Sequence, residues 1–426
     1  MNVPSSLSLL RRLLLAGCLL PVTASHADTV AWVGGHVIDG TGNGVRENTT
    51  ILAKDGRITS VGPAGDVNIP AEASRIDVSG LYLMPGLINA HGHLSGVRGL
   101  ESGHYTRDNL ERQLALYARY GVTTVASLGG DGPEAFALRD EQDHPDLDRA
   151  RLMVAGPVLN PDSPEAAREA VTEVAASGAD FIKFRIDDFL GRGRKMEPAI
   201  YQAIGEAAAG QDVPVAVHIY ELEDAFAALD LGARHIAHSV RDRHIDQPFI
   251  DRMRDSGACY MPTLTRELST YVYESAPDFF SDPFFLREAD PSVLSALLDP
   301  ERQQQMQDSE AAQTYKAALP VARSNLKMLA DARIPIAMGT DSGPAARFQG
   351  YFEHLELWMM ADSGLTAAQI LGSATRDAAG CLGLENAGTL EPGKHADLLV
   401  LTGNPLENVA NTRTLVDVYI AGNRVP

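Results

Sequence analysis

Residues 83–93 of this 426-residue chain read LMPGLINAHGH. The apolar run predicts a buried β-strand, and it ends in two histidines, His91 and His93. Alternate residues of a strand share a face, so both imidazoles are expected on the same side. In (β/α)8 barrels the chemistry lies at the carboxyl ends of such strands, so the pair predicts part of a metal site. An isolated His-x-His also occurs in ordinary polar loops, and the prediction therefore needs partners elsewhere in the chain.

Length and composition limit the class of protein to which this chain can belong. The chain has 45% hydrophobic and 22% charged residues, which is usual for a soluble globular protein. Its length suits a barrel of about 250 residues together with an accessory domain. The formal net charge is −20. Because no basic run offsets this charge, composition argues against nucleic acid as a partner.

The amino terminus has the order of a secretory signal. Two arginines precede the apolar residues 13–20, and small residues follow at Ser25 and Ala27. This order predicts a signal peptide over residues 1–27 and a periplasmic or secreted mature protein. The apolar stretch is shorter than the roughly 20 residues that cross a membrane, so we expect no membrane anchor after cleavage. The alternative is a lipoprotein signal that leaves a lipid on Cys18.

Two cysteines follow the predicted signal. Cys259 and Cys381 both lie in apolar sequence, and two cysteines in so large an exported chain do not make a disulfide framework. We therefore expect them to pack in the core. Neither stands in a pattern typical of a metal ligand or a nucleophile.

The two ends of the chain are β-rich and enclose an α/β middle. Short alternating strands separated by turns fill residues 28–80, where Asp55-Gly56 is a strong hairpin signal, and residues 388–426 have the same style. These ends predict one small, β-sandwich-like domain built from both termini. Residues 81–387 are expected to form the α/β domain.

Within the α/β domain, short apolar strands alternate with helical stretches. The first strand is 83–90, and the predicted strands that follow are 122–125, 152–155, 180–184, 215–218, 235–238, 258–261 and 335–340. Eight strands with intervening helices predict a closed, parallel (β/α)8 TIM barrel.

Four further polar residues fall at carboxyl ends of these strands: Lys183, His218, His238 and Asp341. Each alone has an ordinary explanation, such as a buried core histidine or a turn-capping aspartate. Their shared placement on one rim with the first two histidines instead indicates a metal centre. We assign structural roles to His235, which begins its strand, to His244 in a charged loop and to His354 in an amphipathic helix.

Several phrases carry a family resemblance that covers the whole mature chain. They are PGLINAHGH at 85–93, GADFIK at 178–183, VH at 217–218, IAHS at 236–239, GTDS at 339–342, LTA at 365–367 with SAT at 373–375, and LEPGKHADL at 390–398. The pattern resembles the amidohydrolase superfamily, and within it the imidazolonepropionase-like and metal-dependent prolidase branch, with similarity to ochratoxin-type amidases. This sequence departs from the family pattern after the second strand. Family members often have Arg-Asp there, whereas this chain has Ala126-Ser127.

The resemblance implies two divalent ions, usually zinc. His91, His93 and Asp341 would hold the first ion and His218 and His238 the second. Lys183 would bridge both ions after reaction with CO2, since a carbamate offers two oxygens whereas an ammonium offers none. Asp341 would be the catalytic residue that moves a proton from the attacking water to the leaving nitrogen.

The leading functional prediction is a secreted binuclear hydrolase of an amide bond in a small molecule, such as a dipeptide or an N-acyl amino acid. The alternatives are a one-metal deaminase or cyclic-amide hydrolase, and a lactonase or phosphotriesterase. A one-metal site commonly lacks the bridging lysine, so Lys183 favours the binuclear type. A non-catalytic binding barrel would lack ligands, whereas all six positions are filled here.

The long segment 265–333 contains clustered aromatic residues and predicts a substrate-recognition element. The same rings could instead pack the segment on the barrel or form a contact in a homo-oligomer. Tyr220 shares the strand face of His218, and Arg241 follows His238 closely. We expect Tyr220 and Arg241 to bind a substrate carboxylate.

Overall fold

A computed structural model describes residues 29–426. The predicted signal peptide and Cys18 lie outside the described residues. The strands are β1 Thr29–Ile38, β2 Val45–Lys54, β3 Arg57–Pro63, β4 Ser74–Asp77, β5 Tyr82–Pro85, β6 Leu87–Gly92, β7 Val122–Ser127, β8 Arg151–Val154, β9 Val158–Leu159, β10 Ile182–Arg185, β11 Val215–His218, β12 His235–Ala237, β13 Cys259–Met261, β14 Leu398–Leu401, β15 Leu415–Ile420 and β16 Asn423–Arg424.

The α-helices alternate with the central strands and then dominate the carboxyl half. They are α1 Arg107–Arg119, α2 Pro133–Asp140, α3 Pro164–Ala176, α4 Pro198–Gly210, α5 Leu222–Asp230, α6 Gln247–Ser256, α7 Leu264–Ser269, α8 Pro283–Leu286, α9 Pro291–Leu297, α10 Pro300–Gln307, α11 Glu310–Asp331, α12 Tyr351–Asp362, α13 Ala367–Ser373 and α14 Arg376–Leu382. Between residues 29 and 426, no helix is long and apolar enough to cross a membrane.

An eight-stranded sheet combines strands from both ends of the described chain. Its order is β16-β15-β14-β5-β1-β2-β3, and β4 pairs with β1. The hairpin predicted at Asp55-Gly56 is confirmed, because Lys54 pairs with Arg57 and both turn residues have positive φ. Trp32 is fully buried in the core of this sheet and meets the Tyr419 ring edge-on, with the centroids 5.0 Å apart.

The apolar run at 83–90 serves two sheets instead of forming one strand. Its first half, β5, pairs with β14 in the terminal sheet, and its second half, β6, pairs in parallel with β7. The chain changes sheet at Gly86, where an added Cβ would lie 2.1 Å from Thr123 Oγ1. Only glycine allows that approach. The boundary between the two sheets therefore lies at Gly86, inside the strand that the sequence predicted.

The central strands form two parallel sheets, as the predicted α/β class requires. One has the order β6-β7-β8 and the other β13-β12-β11-β10-β9. A hydrogen bond joins β8 to the residues just before β10, since Asp180 N donates to Val154 O at 2.8 Å. The last predicted strand, 335–340, is not a regular strand and has one parallel bridge, between Tyr260 and Ile336.

Residues 335–341 nevertheless lie between β13 and β6. Ala337 N donates to Tyr260 O at 3.0 Å, and Ala90 N donates to Met338 O at 2.8 Å. Gly339 allows the close approach, because a Cβ there would stand 2.7 Å from the Cβ of His91. This contact brings the end of the segment against the first histidine.

Local signals explain where several helices begin and end. The side chains of Thr106, Ser163 and Asp246 cap α1, α3 and α6 by accepting a backbone N–H. The helix expected after His218 is α5, and Gly232, with φ +87°, follows its end. These helices cover the outer faces of the parallel sheets.

The two cysteines pack in the core as predicted, but they also bond to each other, which the sequence analysis did not foresee. Cys259 at the start of β13 and Cys381 in α14 form a disulfide across 122 residues of sequence. Both are buried, so the prediction of core packing is confirmed. Local sequence could not reveal the pairing, because α14 meets the amino-terminal end of β13 only in the folded chain.

The segment 265–333 folds into helices and short 3-10 turns whose aromatic rings pack inward. Phe279 and Phe285 are buried against Tyr351 and Phe352 at the start of α12. The Phe280 and Phe285 rings are stacked with centroids 5.7 Å apart. In this arrangement the rings attach the segment to α12 and α1, which is the packing alternative of the sequence prediction.

Candidate metal centre

His91, His93 and Asp341 form the first part of a cluster at the ends of β6 and of segment 335–341. His93 Nε2 lies 2.6 Å from Asp341 Oδ1, and His91 Nε2 lies 3.7 Å from the same oxygen. One nitrogen or oxygen of each of the three residues lies within 4.8 Å of the others. Two imidazoles and a carboxylate at this spacing can hold one divalent cation.

His218 and His238 extend the cluster from the ends of β11 and β12. The imidazole centroids of these two residues are 4.1 Å apart, and those of His91 and His238 are 4.6 Å apart. His238 Nδ1 lies 2.7 Å from Thr263 Oγ1, a contact that fixes the imidazole orientation. The two histidines therefore extend the cluster that begins at His91.

Lys183 from β10 lies beside His91 within this cluster. Its Nζ is 3.4 Å from His91 Nε2, and the residue is almost fully buried. Burial lowers the pKa of Lys183 to about 7, although the carboxylate of Asp341 acts in the opposite direction. A substantial neutral fraction of this amine near pH 7 is the reactive form toward CO2.

The buried imidazoles are held in the neutral state that binds metals. Burial is the main cause that lowers the pKa of His218 to about 4 and the pKa of His91 and His238 well below the usual value. His218 Nε2 has no hydrogen-bond partner in the part of the chain that the structure describes, and Asp187 Oδ1 lies 3.5 Å from it. A buried imidazole nitrogen without a partner costs free energy unless a ligand satisfies it, so His218 in this cluster of neutral imidazoles fits a divalent metal.

Asp341 is ionised despite its burial. Burial alone would raise the pKa of this carboxyl, but Arg347 and His93 together hold it well below its usual range. Arg347 Nη1 donates to Asp341 Oδ2, and Arg266 Nε lies 4.0 Å from that oxygen. The carboxylate is therefore available as a metal ligand and as a proton acceptor.

Three residues of the cluster region have left-handed backbone conformations. The φ angles of His238, Thr263 and Asp341 are +74°, +48° and +57°. Such conformations cost about 1–3 kcal/mol each for residues other than glycine, and they concentrate at functional sites. The surrounding hydrogen bonds must offset this cost.

Glu353 from α12 holds two of the cluster's elements. Its Oε1 accepts hydrogen bonds from Asn89 Nδ2 at 2.6 Å, Thr340 Oγ1 at 2.7 Å and Ser342 Oγ at 2.6 Å. Asn89 Oδ1 in turn accepts the His91 backbone N–H at 3.0 Å. One buried carboxylate oxygen thus connects the strand of His91 to the turn of Asp341.

Glu356, one turn further along α12, holds the neighbouring loop. Its carboxylate accepts the backbone N–H groups of Leu264 and Thr265 at 2.8 and 2.7 Å. This fixes the loop in which Thr263 contacts His238. Burial raises the pKa of Glu356 to about 7, with the hydrogen bonds from Thr265 and Leu264 opposing it.

A profile of the amidohydrolase family matches residues 82–425, which is most of the chain. The chain belongs to the amidohydrolase family. Consistent with the predicted resemblance, the imidazolonepropionase of Paracoccus denitrificans (strain Pd 1222) is 26% identical over 410 residues, covering 84% of this chain and 89% of that protein. The imidazolonepropionase of Stenotrophomonas maltophilia (strain R551-3) is 37% identical over 117 residues, and this match spans 26% of this chain and 28% of that relative's length.

A solved structure of similar fold is that of a protein from Bifidobacterium longum, provisionally described as a prolidase. It superposes with a TM-score of 0.75 at 26% identity, covering 94% of this chain and 95% of that chain. The family and these neighbours support a metal-dependent amide hydrolase, so this amidohydrolase is an enzyme that acts on carbon–nitrogen bonds.

The two predicted carboxylate-binding residues lie together, but Arg241 is enclosed. Its guanidinium stands over the Tyr220 ring at 4.7 Å, Nε lies 3.0 Å from Glu267 Oε1, and Nη1 donates to Ile219 O and Ser239 O. Nη2 has no hydrogen-bond partner among residues 29–426. The Glu267 pairing was not foreseen from sequence.

Two acidic residues at the rim of this amidohydrolase were missed. Asp131 accepts from Ser127 Oγ and from the Ala155 backbone N–H, and burial raises its pKa to about 6. Asp187 Oδ1 lies 3.5 Å from His218 Nε2, and neither carboxylate oxygen accepts a hydrogen bond from the described chain. Both follow parallel strands by a few residues. The search for polar residues at the carboxyl ends of strands, which selected Lys183, could therefore have found them.

Proposed function

We propose that this protein is a binuclear metal-dependent amidohydrolase that cleaves an amide or peptide bond in a dipeptide or an N-acyl amino acid. The observation that carries the proposal is the position of Lys183, a buried amine 3.4 Å from His91 Nε2 with its pKa lowered to about 7. A buried lysine in a row of neutral imidazoles is unfavourable as an ammonium. The carbamate that Lys183 would form with CO2 is anionic, and it would be favourable between two cations.

The ligand roles follow the two halves of the cluster. His91, His93 and Asp341 would hold one ion, His218 and His238 would hold the other, and Lys183 would contribute to both. The neutral Nζ of Lys183 forms a bond to the carbon of CO2 and releases one proton, which leaves a carbamate with two ligand oxygens. Zinc is the proposed metal because imidazole nitrogens with carboxylate oxygens suit it.

When bound, such ions lower the pKa of a coordinated water and polarise the substrate carbonyl. The chain's own contribution is proton transfer by Asp341. Arg347 and His93 keep Asp341 ionised, which is the state that accepts the proton of the attacking water. Asp341 then donates this proton to the leaving nitrogen, since an unprotonated amide nitrogen is a very poor leaving group.

For the substrate, the likenesses to imidazolonepropionases and to a prolidase-like structure favour a carbon–nitrogen bond. We propose that Tyr220 and the unpartnered Nη2 of Arg241 bind a substrate carboxylate. A one-metal deaminase or cyclic-amide hydrolase is the second candidate. The position of Lys183 favours the binuclear candidate over this one-metal candidate. It does not distinguish an amidase from a lactonase or a phosphotriesterase, because a bridging lysine would serve all three.

We also propose export to the periplasm or the medium, with cleavage after Ala27. The Cys259–Cys381 disulfide supports this, because disulfides persist mainly in oxidising compartments.

For the architecture, we propose a closed (β/α)8 barrel over 81–387, supported by the hydrogen bonds of segment 335–341 to β13 and β6. Residues 28–80 and 388–426 would form the composite, sandwich-like β domain, and β5 extends its sheet to Pro85.

The proposal is tested by hydrolysis assays of the zinc-loaded mature protein on matched substrates. The panel contains hydrophobic dipeptides, N-acyl amino acids, the corresponding esters and a phosphotriester. Turnover of the amides above that of the phosphotriester, with loss in a chelator and recovery on adding zinc, supports the amidohydrolase. Turnover of the phosphotriester alone, or amide turnover that the chelator leaves unchanged, contradicts it.

A further inference from the structure

A cavity lies beside the candidate metal centre, and its lining does not include the six proposed ligands. It has a volume of about 330 Å³ and is bounded by α1, by residues 285–293 and by the loop 343–351. Ligand pockets commonly have volumes of about 300–1,000 Å³, so the cavity accommodates a small molecule.

Two arginines in the cavity wall have no acidic partner. Among residues 29–426, no carboxylate oxygen lies within 4.0 Å of Arg98 or Arg112, and the guanidinium of Arg112 donates only to Asn109 Oδ1. Burial lowers the pKa of Arg112, and the charges of Arg98 and Arg119 lower it further. Both residues are exposed to solvent, so their charges are accessible to an anionic ligand in the cavity.

The acidic residues of the same wall are already engaged. Glu288 pairs with Arg119, with Oε1 2.7 Å from Nε. Asp290 caps α9 by accepting the Ser292 backbone N–H at 2.8 Å. The charge that remains for a ligand is therefore positive.

Much of the remaining lining is apolar or aromatic. This part includes Leu116, Tyr120, Phe285, Val293, Phe348 and Tyr351. Tyr120 and Phe285 are fully buried members of the aromatic cluster, so this wall is fixed by packing. A bare inorganic anion would leave this surface without a partner.

Two wall residues also contact the candidate metal centre. Arg347 donates to Asp341 Oδ2, and Gln349 Nε2 donates to His93 O at 2.9 Å. A ligand in the cavity would thus touch residues that hold Asp341 and His93.

We propose that this cavity is a second binding site, for a small monocarboxylate with an apolar body. Arg98 and Arg112 bind the carboxylate, and the aromatic wall covers the body. The site is separate from the metal ligands, and its binding test does not depend on the hydrolase proposal.

The test is calorimetric titration of the full-length mature protein, in its metal-loaded form, with 3-phenylpropionate. The variants are Arg98→Gln and Arg112→Gln. Arg107→Gln is the matched control, because Arg107 lies on the same helix, pairs with Glu111 and Glu141, and does not line the cavity. The neutral probe 3-phenylpropanamide measures the contribution of the carboxylate.

We expect equal Kd values for 3-phenylpropionate in the wild type and Arg107→Gln, and a Kd at least about tenfold higher in Arg98→Gln and Arg112→Gln. The amide should bind at least about tenfold more weakly than the acid. Because a carboxylate also binds divalent metals, equal Kd values in all four proteins would place the probe elsewhere and overturn the proposal. Absence of binding to the wild type, or equal binding of acid and amide, would overturn it as well.

Discussion

Glu353 Oε1 accepts a hydrogen bond of 2.6 Å from Asn89 Nδ2, and this bond joins α12 to the strand that carries His91. The two residues are 264 positions apart in sequence. The same oxygen accepts from the hydroxyl groups on either side of Asp341, so a single buried carboxylate fixes two proposed ligands of one ion. The candidate metal centre therefore depends on a helix that supplies no ligand.

Replacing Glu353 should weaken metal binding without unfolding the protein. In Glu353→Leu the three donors lose their acceptor, and we expect an affinity for the first ion that is about 10–100-fold lower. Glu353→Gln keeps one acceptor oxygen and should retain most of the affinity. The measurement is competition with a chromogenic chelator, together with kcat and KM.

His354→Gln is the control for Glu353, because His354 is buried on the same helix but contacts Thr412 and Tyr120 O instead. This variant should lose stability and keep the metal affinity of its folded fraction. If it loses as much affinity as Glu353→Leu, the role of Glu353 is general packing.

Asp341→Asn should lower turnover by several orders of magnitude and leave the fold intact. The amide removes the proposed proton acceptor and weakens one ligand. The measurement is kcat at saturating zinc, with circular dichroism as the control for folding. Activity within a few-fold of the wild type would mean that another group moves the proton.

Arg241→Met should raise KM for substrates that bear a free carboxylate more than for their amides. The physical reason is loss of the unpartnered Nη2 that we propose for carboxylate binding. Because the change also frees Glu267, thermal stability must be measured in parallel. An equal rise of KM for acids and amides would assign Arg241 to the support of Glu267.

Changing Cys259 and Cys381 together to alanine should lower the free energy of unfolding by about 2–5 kcal/mol, because a cross-link over a long loop restricts the unfolded chain. Urea denaturation of the oxidised, reduced and double-variant proteins measures this. The reduced wild type should resemble the variant. An oxidised wild type no more stable than either would contradict a stabilising disulfide.

Sequence reasoning located the ends of the parallel strands because apolar runs and the residues that follow them are local signals. That was sufficient to bring His91, Lys183, His218, His238 and Asp341 together. It failed where a side chain finds its partner only after folding. The pairing of Cys259 with Cys381, of Arg241 with Glu267 and of Glu353 with Asn89 joins distant segments, and no local pattern encodes it.

The irregular segment 335–341 shows a second limit of sequence reasoning. Its apolar residues predict a strand, but its backbone forms individual hydrogen bonds to groups on both sides instead of a regular ladder. Gly339 lies close against His91 in this arrangement. Similarly, the apolar pattern of residues 83–90 does not reveal that the run is divided between two sheets at Gly86.

The central claim is a two-ion centre bridged by modified Lys183, and metal content per chain tests it most directly. Wild-type protein loaded with zinc in the presence of bicarbonate, desalted and analysed by plasma mass spectrometry should contain about two ions per chain. Lys183→Ala should lose at least one of them and most of the activity, with partial recovery on adding a small carboxylic acid. Two retained ions and full turnover in Lys183→Ala would contradict the account.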